Sequence, residues 1–240
     1  MNDCHRRAFL KTSIAAFAGL AASLPHIGCA ARRANAHLGR MRDDTPINWD
    51  AFLELVHAEA SRQTEKSWNE ADYVARASAI ARRLNLDDPV IRAAFGRLDN
   101  RNPAFPEIAV PHKERLFQIS LIQFEHGEVI RHHDHPGMTG VLLCSTGNLR
   151  VSNYSVDGPA DGGHLVLRQD GDESMVRGQV STLTSTDRYI HRVSAPVFSE
   201  VVDIFTPPYD ADRIARSRWF EVEDEPYEGR AGRFLAKVKG

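Results

Sequence analysis

Apolar residues in the first half of the chain recur at helical spacing. The clearest stripe consists of Tyr73, Ala77, Ile80, Ala81 and Leu84. Such spacing places these side chains on one face of a helix, so the pattern predicts helices over residues 49–62, 70–84 and 89–98. Each predicted helix follows a residue type that caps helix N-termini, and these residues are Asn48, Asn69 and Asp88. We interpret the three helices as scaffold that packs on the remainder of the protein.

From about residue 115 the pattern changes to short runs rich in β-branched and aromatic residues. Turn sequences such as Asp157-Gly158-Pro159 separate the runs. The predicted strands span residues 116–124, 129–135, 139–145, 149–154, 164–168, 178–185, 189–194 and 197–205. About eight strands of this length favour a mainly β fold, a double-sheet jelly roll with N-terminal helices packed on it. The interior of such a fold can hold one metal ion and a small ligand.

Composition is consistent with one soluble domain, which we expect to be a monomer. The chain has 240 residues, of which 42% are hydrophobic, and this is enough for one substantial core. The net charge of −2 excludes the basic surface of a nucleic-acid-binding protein. Of three cysteines, Cys144 alone lies in the predicted β region, so we expect a buried core thiol and no disulfide framework.

The N-terminus carries the features of an export signal. Arg6-Arg7 begins a twin-arginine signature, and a short apolar stretch follows over residues 14–24. The stretch is too short to span a bilayer. Cleavage after Ala36 would release a periplasmic protein exported by the twin-arginine machinery. Alternatively, Cys29 ends a sequence similar to a lipobox, and lipidation there would be the only attachment to a membrane.

These observations divide the chain into five segments. They are a signal peptide (1–36), a linker (37–46), a helical segment (47–105), a β domain (106–225) and a basic, peripheral C-terminal tail (226–240).

The sequence His133-Asp134-His135-Pro136 has the spacing of a metal site. In a strand, His133 and His135 project to one face, whereas Asp134 and His132 point to the other, where we expect solvated or structural roles. Two imidazoles on one rigid face form half of a metal site. Together with Gly127, Gly140 and Gly147, they form a skeleton that resembles the first motif of cupins.

That motif normally continues with a Glu ligand, but the corresponding positions here are Thr139 and Gly140. His191 is the best candidate for a third ligand, because it stands in a β-prone run. The result is a neutral three-histidine face. An anionic substrate such as a thiolate would supply the missing charge.

Two blocks of sequence at matching spacing resemble the plant cysteine oxidase and cysteamine (2-aminoethanethiol) dioxygenase family. The first runs from His133 to Tyr154, and the second, over residues 201–209, ends in Pro207-Pro208-Tyr209. The resemblance spans roughly residues 88–222. It implies a cupin-type double-stranded β-helix that uses Fe(II) and O2 to oxidise a small thiol or an N-terminal Cys peptide to a sulfinic acid.

The resemblance also implies residue roles. His133, His135 and His191 correspond to the iron ligands, Asp203 to an acidic residue near the site, and Tyr209 to a tyrosine that closes the substrate pocket. A buried carboxylate needs a partner, so we expect Asp203 to form a hydrogen bond with a ligand imidazole. We expect Tyr209 to position the reactants.

One family feature is missing. Some animal members carry a Cys and a Tyr two positions apart that form a thioether, but Ser217-Arg218-Trp219 stands there.

Two other functions remain open, since three histidines do not select a metal. The protein can be a cupin with another metal and no sulfur chemistry, or a binding or sensor protein without turnover.

Overall fold

A computed structural model describes residues 45–98 and 105–239. The predicted signal peptide and residues 37–44 of the linker lie outside the described residues, and so do Arg6, Arg7 and Cys29. Within the described ranges, no helix is long and apolar enough to cross a membrane.

The three predicted helices are present, with their predicted capping residues. They are α1 (Trp49–Ser61), α2 (Glu70–Arg82) and α3 (Pro89–Phe95). The side chains of Asn48, Asn69 and Asp88 each accept a hydrogen bond from a backbone N–H in the first turn, at 2.8–2.9 Å. These caps satisfy donors that would otherwise lack an intrahelical partner.

The described residues contain eleven strands and one further short helix, α4 (Ala211–Arg216). The strands are β1 (Glu107–Lys113), β2 (Gln118–Phe124), β3 (Val129–Asp134), β4 (Thr139–Thr146), β5 (Asn148–Pro159), β6 (Leu165–Val176), β7 (Val180–Leu183), β8 (Ile190–Ser194), β9 (Ser199–Thr206), β10 (Trp219–Pro226) and β11 (Arg233–Lys239). They confirm a mainly β jelly roll with helices packed on it.

The strands form two sheets. One, the helix-backed sheet, has the order β1-β2-β9-β4-β7, and the other, the barrel sheet, closes in the order β10-β11-β6-β5-β8-β3. Neighbouring strands are antiparallel.

Side chains of the helix-backed sheet alternate between two environments. Ile119, Val141 and Ile204 belong to the core formed with the helices. Their chain neighbours Ser120 and Asp203 face the opposite side, toward a cavity between the sheets. This period-two alternation follows from strand geometry and gives one sheet both a hydrophobic back and a functional front.

The C-terminal segment differs from the prediction of a peripheral tail. Residues 233–239 form β11, which pairs with β6 and β10 and completes the barrel sheet. Phe234, Ala236 and Val238 lie on one face of the strand and pack into a hydrophobic cluster. The strands β1 and β10 were likewise not predicted, because Pro111 interrupts the first and acidic residues dominate the second.

Cys144 lies in β4 and is a free, buried thiol. Burial raises the pKa of this thiol to about 11. The side chain therefore stays protonated and behaves as the small core residue that the sequence predicts.

Candidate metal centre

Adjacent strands of the barrel sheet bring the predicted histidines together. His133 in β3 stands directly opposite His191 in β8. His135 follows the end of β3 and begins a tight turn, in which the backbone N–H of Met138 donates to its carbonyl at 3.1 Å. Gly137 occupies the turn with a φ of 69°, a conformation that favours glycine. The turn folds His135 back toward the two strand-borne histidines.

The three imidazoles converge on one point. The Nε2 atom of His191 lies 2.9 Å from that of His135 and 3.1 Å from that of His133. In the part of the chain that the structure describes, no other Cys, Asp, Glu or His joins this group, whose ligand atoms lie within 4.8 Å of one another. His135 and His191 are buried, and the ring of His133 is half-buried against Trp219 at a centroid distance of 5.0 Å.

The protonation of the cluster suits a metal ion. Burial lowers the pKa of His133 to about 4 and holds the pKa of His135 and of His191 well below the usual range, so the rings are neutral at pH 7. Nδ1 of His133 lies 2.7 Å from the Arg131 carbonyl, which can only accept a hydrogen bond. The ring proton is therefore on Nδ1, and the Nε2 lone pair points into the cluster. A divalent cation is the partner that such converging lone pairs fit.

The position of the missing carboxylate ligand is closed to a larger side chain. A Cβ atom on Gly140 would lie 3.0 Å from the Phe205 ring and 3.2 Å from Leu183. The neighbouring Thr139 is buried, and its hydroxyl donates to the Thr206 carbonyl at 3.0 Å. A Glu at either position would have to displace packed core atoms. The neutral ligand set is therefore built into the packing around β4.

Tyr209, and not Asp203, contacts the imidazole of a candidate metal ligand. The Tyr209 hydroxyl is hydrogen-bonded to Nδ1 of His135, so this tyrosine fixes a histidine ring. The expected bond from Asp203 to an imidazole is not formed. Both side chains line the cavity beside the histidines.

The Asp203 carboxyl faces the cavity without a hydrogen-bond partner among the described residues. It is 6% exposed, and burial alone raises its pKa well above the ordinary range. Asp203 stands opposite Ser120 of β2, whose hydroxyl accepts from the Gln118 side chain at 3.0 Å. These three residues form the polar wall of the cavity.

The cavity itself has a volume of about 120 Å³. Outside the histidines and the polar wall, most of its lining is apolar. Representative residues are Phe105, Ile108, Ile122, Val193, Phe205 and Trp219. The site therefore offers a small, mostly apolar cavity with three histidines at one corner and one polar wall.

The residues next to the ligands are less solvated than the sequence suggests. Asp134 is 2% exposed and pairs with Arg218, which lies 84 positions away in the chain. His132 packs against Tyr154, and burial lowers its pKa to about 4. Sequence reasoning missed Arg218 and Trp219, although the alternation of Phe220, Glu221, Val222 and Glu223 could have indicated a strand.

Comparison with known proteins gives one family and several distant structural neighbours. Residues 94–233, more than half of the chain, match the PCO_ADO family, which comprises plant cysteine oxidases and cysteamine dioxygenases. No curated protein sequence matches the chain.

Similar solved structures include a cupin superfamily protein from Desulfitobacterium hafniense, with 17% identity, coverage of 45% of this chain and 83% of that chain, and a TM-score of 0.34. KdgF from Halomonas sp. has 15% identity, coverage of 48% and 90%, and a TM-score of 0.36. An RmlC-like cupin from Desulfovibrio desulfuricans has 17% identity, coverage of 47% and 92%, and a TM-score of 0.36. These TM-scores are too low to add to the assignment. The family match and the three-histidine cavity agree, and the chain belongs to the PCO_ADO family of plant cysteine oxidases and cysteamine dioxygenases.

Proposed function

We propose that this protein is an Fe(II)-dependent dioxygenase that converts an aminothiol, of the cysteamine or cysteine type, to its sulfinic acid with O2. Family membership supports thiol oxidation in general. The proposal of iron and of an aminothiol substrate depends on one observation. A neutral three-histidine cluster shares a small cavity with the unpartnered carboxyl of Asp203.

His133, His135 and His191 would hold the metal. Their neutral rings and converging Nε2 atoms fit a divalent cation, and the family is metal-dependent. Bound iron would supply the redox chemistry that a thiol and O2 require and that no side chain provides. With no carboxylate among the ligands, the charge of the cation is uncompensated. This favours a substrate that brings its own negative charge, and a thiolate does so.

The overall reaction balances without a further co-substrate. One thiol and one O2 give one sulfinic acid, so both oxygen atoms end on sulfur and the sulfur supplies all four electrons. No protein nucleophile is needed. The apolar lining limits water in the chamber, which favours complete oxidation over release of a partly oxidised product.

Asp203 supports a substrate that carries an amine. A buried carboxyl without a partner is unfavourable, and an ammonium group in the cavity would provide the opposite charge and the hydrogen-bond donors that it lacks. Cysteamine and an N-terminal cysteine both place an amine two carbons from the sulfur. A substrate of this class carries one group for the metal and one for Asp203, and the histidines and Asp203 line the same cavity.

Tyr209 acts as a positioning residue in this proposal. Its hydroxyl holds Nδ1 of His135, and its ring packs on Phe205 at a centroid distance of 4.9 Å. A fixed ring orientation keeps the His135 lone pair directed at the metal, as outer-sphere partners of metal ligands commonly do.

Metal analysis combined with O2 uptake tests the proposal. We expect purified protein to contain or accept iron and to consume one O2 per thiol with cysteamine, cysteine or a peptide that begins with Cys. 3-Mercaptopropionate, which lacks the amine, should be a poor substrate. Tight thiol binding without O2 uptake would indicate a binding or sensor protein, and activity confined to another metal without sulfur oxidation would indicate a different cupin enzyme.

We further propose export by the twin-arginine route, from the Arg6-Arg7 signature alone. Replacement of both residues by Lys keeps the charge but removes the paired guanidinium groups, so precursor should accumulate in the cytoplasm. Normal export of this variant would contradict the proposal. Labelling with a lipid precursor, compared with Cys29→Ala, would distinguish a lipoprotein from a free periplasmic protein.

A further inference from the structure

Asp134, the residue between His133 and His135, makes three hydrogen bonds to Arg218. The carboxylate of Asp134 accepts hydrogen bonds from the backbone N–H of Arg218 at 2.6 Å and from its Nε at 2.7 Å. The backbone N–H of Asp134 donates to the Arg218 carbonyl at 3.1 Å. Asp134 is 2% exposed, whereas the Arg218 side chain is 45% exposed. One buried residue is thus bound through main chain and side chain to a single distant partner.

The segment that contains Arg218 also contacts one of the three histidines, His133. Trp219 follows Arg218, starts β10 and stands directly opposite His133, with its ring stacked on that imidazole at an interplanar angle of 27°. The pairing of β3 with β10 closes the barrel sheet and consists of this one residue pair in the described structure. The contacts of Asp134 with Arg218 therefore supply much of what holds the closing strand beside the metal centre.

His135 depends on this contact more than the other two histidines. His133 and His191 belong to paired strands, and the pairing of β3 with β8 ends at Asp134, which stands opposite Ile190, so His135 itself lies beyond the ladder. Its ring is held by Tyr209, and the backbone that leads to it is held at Asp134. The separation and relative angle of His133 and His135 are consequently set at the residue between them.

We propose that Asp134 and Arg218 form a positioning clasp for the three-histidine centre. The clasp fixes the backbone between His133 and His135 and thereby sets the affinity and coordination geometry with which a divalent metal binds. The inference deepens the function proposed above, since it assigns positioning residues to the same site. A clasp that served the closure of the barrel alone would affect folding stability and leave metal binding unchanged.

Cobalt(II) binding to metal-free full-length protein tests this inference without any turnover. A competing chromophoric chelator gives the dissociation constant, and the visible absorption bands of bound cobalt report the ligand geometry. In Asp134→Asn, the amide cannot reproduce the ion pair. We expect cobalt to bind about 10- to 100-fold more weakly, the range typical for loss of an outer-sphere partner, and its bands to shift at full loading.

Glu200→Gln is the matched control. Glu200 in β9 is a buried carboxylate with a side chain 4% exposed, and it pairs with Arg92, whose side chain is 41% exposed. The pair has the same burial pattern as the clasp, but it links β9 to α3 and contacts none of the three histidines. We expect Glu200→Gln to lower the thermal midpoint about as much as Asp134→Asn while its cobalt constant and spectrum match those of the wild type.

The cobalt affinity and spectrum of the two variants distinguish a clasp that positions the histidines from one that only closes the barrel. Wild-type cobalt affinity and spectrum in Asp134→Asn would overturn the inference, and so would an equal loss of affinity in both variants. If Asp134→Asn does not fold, the cobalt affinity and spectrum of Arg218→Gln provide the test. This variant keeps the backbone N–H of residue 218 and removes only the guanidinium. A wild type that binds cobalt but consumes no O2 with any thiol would overturn the proposed function alone.

Discussion

The two sheets contribute unlike chemistry to one cavity. The barrel sheet provides His133 and His191, neutral side chains whose positions are fixed by strand pairing. The helix-backed sheet provides the polar wall, in which Asp203 is a buried acid. In the proposed function, metal binding and substrate recognition would thus reside on separate rigid elements, and either could be altered while the other stays in place.

The two sheets also differ in how far their polar groups are satisfied. Nδ1 of His133 and Nδ1 of His135 already have hydrogen-bond partners, whereas the carboxyl of Asp203 has none among the described residues. In the proposed function, the rings of His133 and His135 are already oriented for a metal, whereas Asp203 would gain its partner from the substrate. Substitutions should therefore separate into effects on the metal and effects on the choice of thiol.

The largest effect is expected from the histidines. Replacement of His133, His135 or His191 by Ala removes one of three ligands and should weaken metal binding by more than about 100-fold, beyond what loss of an outer-sphere partner causes. Thiol-dependent O2 uptake should disappear with the metal. Metal content after dialysis against a chelator measures this. His132→Ala is the control and should retain wild-type metal content, and full retention of iron in His191→Ala would place the third ligand elsewhere.

Asp203→Asn should sharpen the division between the sheets. Loss of a charged hydrogen-bond partner costs about 1.5–3 kcal/mol, so kcat/KM for cysteamine should fall roughly 10- to 100-fold. The metal content should not change. Parallel assays with 3-mercaptopropionate provide the internal control, because a thiol without an amine cannot lose this contact. An equal fall for both thiols would contradict the role of Asp203 in amine recognition.

Tyr209→Phe should have a smaller effect, and it should change metal binding rather than the choice of thiol. Without the hydroxyl, Nδ1 of His135 loses its partner, and we expect metal binding about tenfold weaker and a lower turnover at saturating metal. Tyr73→Phe is a matched control, since its buried hydroxyl is 2.6 Å from the Thr206 side chain and contacts no ligand. If the metal affinity and the turnover of Tyr209→Phe both match those of the wild type, the tyrosine has a packing role only.

The smallest effect concerns the stability of metal-free protein at low pH. The pKa of His133 is about 4 when folded and about 6.5 when unfolded, so the unfolded state binds more protons between these values. The stability contribution is present above pH 6.5 and is lost as the pH falls toward 4. Between pH 7 and pH 5 this half-buried ring should account for a loss of about 1–2 kcal/mol, or roughly 2–8 °C in thermal midpoint, measured as the difference between wild type and His133→Gln. A calorimetric scan checks this, and His133→Gln should show a flatter pH profile.

Local patterns in the sequence were sufficient for much of the fold and for the clustering of the three histidines. The helix caps depend on residues a few positions apart, and the spacing of His133 and His135 follows from strand geometry. The contacts that were not predicted join distant residues. Asp134 is bonded to Arg218 across 84 positions, and Tyr209 is bonded to His135 across 74. No local periodicity encodes such contacts, so the sequence placed Asp134 in solvent and assigned the imidazole contact to Asp203 instead of Tyr209.

The depth of Cys144 has a consequence for durability. An enzyme that oxidises thiols works beside a reactive mixture that can attack its own cysteines. Cys144 is fully buried in β4 and its thiol stays protonated, so neither contact with oxidant nor the reactive thiolate form is available in the folded state. Among the described residues, the one cysteine thiol is thus buried and protonated, the form least open to oxidation. Inactivation during prolonged turnover should therefore proceed through the metal centre and leave this side chain intact.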